Sequence, residues 1–567
     1  MLIGKSASFG IGIARALVLK SMELQIESGQ CHDQASEVER FYKGLRSSES
    51  ELSHLFDKTL KDMGAEKAQI FEAHLLMLQD PEFRDNVVSE IQSKSCFSSF
   101  AVDVVSKRFI EMFEAMDNEY MRERALDIKD ISSRVLKHIL GIETPDLSHL
   151  NEEVILVSKD ITPSQMASID LNKTIGIITE IGGKTSHTAI MARTLELPAV
   201  VGLKEATTLI TSGNILIIDG ESGEVYVNPD QDTIRIFENR RKEILKIKNE
   251  LLTFRDQKAV TQDGRRIHLE ANIASALDLD SVLKNGADGI GLFRTEFIFM
   301  DRNKAPSEEE QFHIYKTVLE KMKQKPVVIR TLDVGGDKHL SYLNIPKEEN
   351  PFLGFRAIRY CLRDKPLFKT QLRALLRASS FGNLSIMLPM ISSLEEIEEA
   401  KNILKECQAE LLIEGVSYSK ELRLGIMIEI PSAAIMADLF AKHVDFFSIG
   451  TNDLIQYVCA VDRMNENIHS LYDPFHPGVL RLIEQVIKAG ESNQIEVAMC
   501  GEMAANKSLT EILLGMGLTH FSMAPGSIPK TKKIIQEMTF KMASDRSKKV
   551  LTLASGSIIK DYLNSLK

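Results

Sequence analysis

Long apolar runs are missing from this chain. Nowhere do about 18 apolar residues follow one another, the length a helix needs to span a bilayer. The opening stretch, Met1 to Lys20, is broken by Lys5, Ser6, Ser8 and Arg15; it alternates as a strand does and lacks the compact apolar block of a signal peptide. Cysteine is scarce. Cys31, Cys96, Cys361, Cys407, Cys459 and Cys500 form no CxxC pair, so their spacing suggests neither a zinc site nor a disulfide framework and points to a reducing cytoplasm. Tryptophan is absent, which excludes nothing. An excess of positive charge is missing too: 69 Lys and Arg stand against 80 Asp and Glu, which argues against a nucleic-acid binder.

What is present is a soluble, globular composition spread over 567 residues, enough for several domains. The net charge of −11 is uneven: Cys31 to Pro145 holds 22 acidic and 15 basic residues, so −7 of it lies there. That segment is either a solvated helical face or a docking surface for a basic partner.

From about Ser28 to Gly141 the chain reads as nearly all helix. Phe71, Leu75 and Leu78 share one face, as do Ile128, Ile131, Val135 and Ile139, and Pro81 after Asp80 opens a new helix. From Val154 short β-branched runs take over: Val154–Val157, Thr174–Thr179, Ala199–Val201, Ile215–Ile218 and Glu224–Val227. This predicts a compact α/β domain. The strand-like Met1–Leu19 segment could join it, which would make the helical bundle an insertion. Gln231 to Lys258 reads as a charged linker helix able to let two halves reorient.

Beyond Ala259, eight candidate strands alternate with helices over some 300 residues: Ile267–Ala271, Gly289–Phe293, Val327–Leu332, Leu384–Leu388, Leu424–Ile428, Phe446–Ile449, Ile495–Met499 and His520–Ser522. The pattern predicts a (β/α)8 TIM barrel, with a doubly wound open sheet as the alternative. The expected organisation is multidomain α/β. Residues 1–25 are the N-terminal strands of a swivelling α/β domain, 26–145 the inserted bundle, 146–229 the rest of that domain, 230–258 the linker helix and 259–567 the barrel.

Barrel chemistry sits just past the C-terminal ends of strands. There the sequence places Arg294, then Arg330 followed by Asp333, Gly335, Gly336, Asp337 and Lys338, then Glu429, then Asn452 and Asp453, Arg463 and Cys500. The helix-side positions show no such clustering. Arginine forks grip phosphate and carboxylate, so three of them imply a small substrate of high negative charge. Glu429 and Asp453 offer hard oxygens for Mg²⁺. Cys500 could donate a proton to a carbanion-like carbon, or be an inert buried thiol.

A second motif lies in the α/β domain: Ile181-Gly182-Gly183-Lys184-Thr185-Ser186-His187-Thr188-Ala189-Ile190-Met191-Ala192-Arg193. A Gly-Gly turn opens a short helix whose unpaired N–H groups favour anions. His187 would stand where a phosphoryl group on its ring is electrostatically welcome, and neutral imidazole is a competent nucleophile.

GGKTSHTAIMAR resembles the phosphohistidine signature of the phosphoenolpyruvate-utilising enzymes, and DFFSIGTNDLIQYVCAVDR resembles their barrel signature. The resemblance covers essentially the whole chain, including the bundle and the block ENPFLGFRAIR. It is nearest to the enzyme I branch, the phosphoenolpyruvate–protein phosphotransferases of the bacterial sugar phosphotransferase system.

The resemblance implies that phosphoenolpyruvate phosphorylates His187 and leaves as pyruvate. Arg294, Arg330, Arg463, Asn452 and Asp453 would bind the substrate, with help from Arg356 and Lys338. Glu429 and Asp453 would bind Mg²⁺, and Cys500 would protonate the enolate. The group would pass to the carrier protein HPr, docked on the bundle. A cytoplasmic homodimer through the barrel, touching neither membrane nor nucleic acid, is implied as well.

The segments SASFGIGIA, CGEMAANK and SMAPGSIPK depart from the family pattern, the second where Gly-Asp is usual at Ala505-Asn506; these bear on loop geometry and rate. Lys184 keeps the charge of the usual Arg. Pyruvate phosphate dikinase and phosphoenolpyruvate synthase share the two domains, but they need an ATP-binding domain for which this chain is expected to have no room. No sensory domain is expected before the first strands. A non-catalytic regulator would predict a degraded barrel site, and every barrel residue named above is present.

Overall fold

The computed structural model describes residues 1–567 apart from 20–25, 28, 64, 115–118, 143–146, 148–149, 184–185, 196, 301, 303, 337–339, 341, 344, 347, 466 and 567; the side chains of some helical residues, His187 among them, lie outside the description too. The chain divides into two compact units, Met1–Ile247 and Lys248–Lys567.

In the first unit, strands β1 (Leu2–Ile3), β2 (Lys5–Ser8) and β3 (Ile11–Leu19) precede five helices. These are α1 (Gln34–Met63), α2 (Ala65–Gln79), α3 (Pro81–Lys94), α4 (Ser98–Glu114) and α5 (Glu119–Leu140). Then come β4 (Val154–Ser158), β5 (Thr174–Thr179), β6 (Ala199–Val201), β7 (Ile215–Asp219) and β8 (Glu224–Val227). The sheet runs β1-β8-β7-β3-β4-β5-β6-β2. β3 pairs with β4 in parallel across the whole helical segment, so the bundle is an insertion between neighbouring strands.

The bundle's core follows from its periodic apolar faces. Phe71, Leu78, Ile131 and Val135 are buried, as are Phe41, Leu52, Val87 and Val102 from the facing helices. Asp80 begins α3 with its carboxylate accepting from Glu82 N at 2.8 Å, and Pro81 fills the first helical position, where no N–H partner is lost. The sheet is covered on both faces. Leu156, Ile177 and Val201 pack with Ala189 and Ala192 of the His187–Thr194 helix; Ile155, Val157, Ile178 and Ile218 pack with Leu203 and Ala206.

The linker helix, Gln231–Thr253, carries the boundary between the units. Its first half is held to the sheet by Phe237, packed with Ile11 and Ile217, and by Arg240 paired with buried Asp219 at 3.0 Å. Past its end, the buried Lys532 ammonium donates to the carbonyls of Arg255 (2.6 Å) and Gly286 (2.7 Å), fastening the chain to the second unit.

That unit is a closed parallel barrel, which rules out the open sheet. Its strands are β9 (His268–Ile273), β10 (Ile290–Arg294), β11 (Pro326–Arg330), β12 (Asn383–Leu388), β13 (Arg423–Ile428), β14 (Phe446–Ile449), β15 (Glu496–Met499) and β16 (His520–Met523). Each expected strand is present, displaced by no more than a few residues at its ends. Of the departing segments, CGEMAANK has a physical account. Asn506 caps the Lys507–Gly515 helix, its side-chain oxygen accepting from Ser508 N (3.0 Å) and Leu509 N (3.3 Å). An aspartate would do the same work, so the local fold tolerates the exchange.

Polar residues gather at both ends of the barrel. Leu292, Val328, Met387, Met427, Phe446 and Cys500 form an apolar plug inside the barrel. On the far side of that plug, at the N-terminal ends of the strands, lies a second polar cluster. Arg423 pairs with Glu496 at 3.3 Å, the His268 and His520 rings stack at 4.4 Å, and His520 lies 3.7 Å from Glu496. Glu270, across the β9–β16 pairing from Ser522, is buried beside them. Burial, and then the charges of Glu496 and Asp288, push its carboxyl up to about 8; burial likewise pulls His520 down to about 4.

The sign of the Glu270 effect is fixed by linkage. Its folded pKa exceeds the unfolded value of 4.5, so the folded state holds the proton more tightly. Stability from this group is full below the unfolded value and falls as pH rises towards about 8. Glu270→Gln should therefore gain on the parent as pH rises, reaching on the order of 1 kcal/mol or more near the upper limit. Denaturant unfolding of the two proteins across that range measures this; parallel stability curves would contradict it.

Candidate active site at the C-terminal edge of the barrel

Arg330, the last residue of β11, is buried at 6% exposure, and burial of a charge requires partners. Its Nη2 donates to Glu296 Oε1 at 2.8 Å and its Nη1 pairs with Asp333 Oδ2 at 2.9 Å. The other oxygen of Asp333 accepts from Nη2 of Arg356 at 2.9 Å. One buried carboxylate thus bridges two buried guanidiniums. Arg356 Nη2 also lies 3.5 Å from Asp453 Oδ2, and Arg463 Nη1 lies 3.6 Å from Asp453 Oδ1.

Burial opposes both guanidinium charges, but neighbouring carboxylates outweigh it. Asp333, Glu296 and Glu429 hold Arg330 above the ordinary value, and Asp333 and Asp453 do so for Arg356. Both stay charged. The close approach of Arg356 depends on Gly335. That residue has φ +107°, and a β-carbon there would stand 2.4 Å from Arg356 Cβ.

Glu429 follows β13 and is 1% exposed. Its Oε1 accepts from Met390 N at 2.6 Å. Burial pushes its carboxyl up, with Asp453 and Asp333 adding to the effect against Arg330 and Arg356. Asn452 and Asp453 open the Thr451–Cys459 helix after β14. Asn452 Oδ1 accepts from Glu502 N at 3.1 Å, and the Tyr472 hydroxyl donates to the Asn452 carbonyl at 3.3 Å. Arg294 closes β10.

Cys500 sits one residue past β15, 3% exposed, with its thiol donating weakly to Ile449 O at 3.8 Å. Burial pushes the thiol up, although Arg330 and Arg294 are near enough to favour its anion, so it stays protonated at neutral pH. A buried S–H with cations nearby is equipped to give up a proton during a reaction and take it back afterwards.

Carboxylate oxygens at this edge offer hard ligands of the kind a divalent cation takes. Among the described residues no cluster of three His, Cys, Asp or Glu forms a ready-made cage. A Mg²⁺ that shares its shell with substrate phosphate and water needs only one or two carboxylates. Glu429 and Asp453 meet that need: both are buried, and Asp453 Oδ1 has no hydrogen-bond donor. Burial does most to raise Glu429, and the repulsion from Asp453 and Asp333 that adds to it is the field a dication would relieve.

In the first unit, His187 begins the His187–Thr194 helix. Ser186 caps it, its Oγ accepting from Ala189 N at 3.4 Å, and Thr188 Oγ1 donates to Ile161 O at 3.3 Å. The His187 side chain, Lys184, Thr185 and Lys338 lie outside the described residues. The structure brings together Arg330, Arg356, Arg463, Glu429, Asp453 and Cys500. It adds Glu296, Tyr457, whose hydroxyl is 3.5 Å from Arg356 Nη1, and Asn272. Glu296 had a signal, standing two residues past Arg294 in the same motif; Asn272 had none.

The bridging role of Asp333 has a measurable cost. Asp333→Asn leaves two buried guanidiniums short of a counter-charge, which should destabilise the second unit by about 3–5 kcal/mol. Thermal and denaturant unfolding test this, and a loss below about 1 kcal/mol, the size of an exposed pair, would contradict it.

Comparison with known proteins accounts for the whole chain. Three family models match in order: the N-terminal domain of PEP-utilising enzymes over residues 3–124, their mobile domain over 150–223 and their PEP-binding domain over 248–540. A phosphoenolpyruvate-protein phosphotransferase from Priestia megaterium is 48% identical over 562 residues, covering 99% of this chain and 98% of that protein. Proteins of the same name from Bacillus subtilis (48% over 552 residues, 97% of each chain) and Listeria monocytogenes (49% over 535 residues, 94% of each) are similarly alike. A full-length match of this kind, on a barrel edge built of arginines and carboxylates, leaves one conclusion: the chain belongs to the phosphoenolpyruvate–protein phosphotransferases of the PEP-utilising enzyme family.

Proposed function

We propose that this chain takes the phosphoryl group of phosphoenolpyruvate onto the ring of His187, releases pyruvate, and passes the group to the histidine of the carrier HPr, the first step of the sugar phosphotransferase system. The observation that carries the reading is the Arg330–Asp333–Arg356 bridge beside Glu429 and Asp453 at the barrel edge. Such an edge suits a small substrate bearing both a carboxylate and a phosphate.

Arg294, Arg330 and Arg463 bind the two anionic groups with the Asn452–Asp453 segment, assisted by Arg356 and Lys338. Glu429 and Asp453 hold Mg²⁺, which when bound adds positive charge against the phosphate oxygens. Arg330 and Arg356 stay charged, because their carboxylate partners hold them in that state against burial. As the phosphorus–oxygen bond to the enol breaks and a nitrogen–phosphorus bond forms at His187, they stabilise charge spread over the phosphoryl oxygens. The enolate left behind takes a proton at C3 from the Cys500 thiol and becomes pyruvate. The Cys500 thiolate then recovers a proton from solvent.

His187 serves two partners in turn, which calls for a swivel of residues 1–25 and 146–229 about the linker over 230–258. HPr docks on the bundle over 26–145, whose acidic balance suits a basic partner. The active species is a cytoplasmic homodimer through the barrel over 259–567. Exposed Ile435, Met436 and Leu439 on the barrel's outer helices support that contact. No helix among the described residues is long and apolar enough to cross a membrane.

Incubation with labelled phosphoenolpyruvate and Mg²⁺ should give acid-labile, alkali-stable label on the protein, absent from His187→Ala. Equal labelling of that variant rejects His187 as the acceptor. Chelation of divalent cations should abolish labelling and added Mg²⁺ restore it; labelling indifferent to chelation rejects the Glu429–Asp453 site.

A further inference from the structure

Cys500 lies beyond the last paired residue of its strand. The β15–β16 ladder ends at Met499 opposite Phe521, so the Cys500 carbonyl has no strand partner. It is caught by a side chain from the first barrel strand. Asn272, next to last in β9, donates from Nδ2 to Cys500 O at 2.9 Å and to Ser522 O at 3.4 Å. Its Oδ1 accepts from the Ser522 hydroxyl at 2.6 Å. The amide orientation follows from chemistry: the atom facing two carbonyls must be the NH₂, and the hydroxyl donates to the oxygen.

The following residue is confined from the other side. A β-carbon on Gly501 would stand 1.8 Å from Thr451 Oγ1, so its backbone lies hard against the helix that carries Asn452 and Asp453. The Cys500 N–H is fixed as well, donating to Ile449 O at 3.1 Å. The peptide that aims the thiol is therefore clamped at three points. The Asn272 clamp is a side-chain hydrogen bond to the Cys500 carbonyl itself, and the hydrogen bonds of that side chain described above touch neither the arginines nor the carboxylates.

We propose that Asn272, oriented by Ser522, is a positioning residue that aims the Cys500 thiol at one face of the enolate. The inference rests on Cys500 being the acid in the proposed reaction. In that step the S–H bond breaks, a C–H bond forms at C3, and the thiolate is reprotonated by solvent. The clamp makes delivery face-selective. Without it the thiol samples other directions, and water can protonate either face of the enolate.

The test uses the full chain with Mg²⁺, HPr and phosphoenolpyruvate carrying a stereodefined hydrogen isotope at C3. The reaction is run in water of a second isotope, and the methyl configuration of the pyruvate is read. Asn272→Ala should lower kcat by about 10- to 100-fold, the effect of misplacing a general acid, while KM for phosphoenolpyruvate changes less than about 2-fold. The methyl group should lose most of its configurational purity. Ser522→Ala, which keeps the amide but frees its orientation, should show both effects more weakly, and it carries the test if Asn272→Ala does not fold.

Full face selectivity in a folded Asn272→Ala or Ser522→Ala protein overturns the inference, as does a loss expressed only in KM. Cys500→Ala separates the two claims. If it scrambles the methyl group while Asn272→Ala does not, the inference alone fails. If Cys500→Ala itself keeps face selectivity, the assignment of Cys500 as the acid fails, and the role of Asn272 fails with it.

Discussion

The bridge of Asp333 between Arg330 and Arg356 is the constraint on which the site depends. Two guanidiniums buried within reach of one carboxylate would repel each other and lose hydration if that carboxylate were absent. With it they form a fixed, charged surface that needs no rearrangement when an anion arrives. Glu296 behind Arg330 and Asp453 beside Arg356 extend the alternation of sign. The positive φ at Gly335 lets the loop after β11 approach close enough to complete it. Preorganised charge of this kind stabilises charge that moves during a reaction better than water does.

The barrel isolates this charge. Its apolar plug separates the reactive edge from a second polar cluster at the opposite end of the strands, where Arg423, Glu496 and the stacked histidines meet around Glu270. The two ends have different uses. At the C-terminal edge, carboxylates balance fixed cations and leave oxygens for a metal. At the N-terminal end, a carboxyl is buried with like charges nearby and keeps its proton.

Much of this was legible in the sequence. Short β-branched runs punctuated by Gly, Asp and Pro located the strands of the first unit, alternation of strand and helix located those of the barrel, and the helical period found the bundle, because each signal is local. Arg330, Glu429, Asp453 and Cys500 were legible because residues just past strand ends line one edge of a barrel. The N-terminal cluster was missed although His268, Arg423, Glu496 and His520 each begin a strand. A charged residue at a strand start reads as solvated until closure of the barrel draws it against its neighbours. Asn272 was invisible for a stronger reason: its partners lie 228 and 250 residues away, and nothing in the local pattern marks an amide that spans neighbouring strands.

The chain alone, with a divalent cation, is expected to move a phosphoryl group reversibly between phosphoenolpyruvate and itself. Isotope exchange between labelled pyruvate and unlabelled phosphoenolpyruvate measures this without any protein acceptor or nucleotide. Exchange is expected with purified chain and Mg²⁺, and none with a His187→Ala chain. Exchange that appears only when HPr or a nucleotide is added would contradict it.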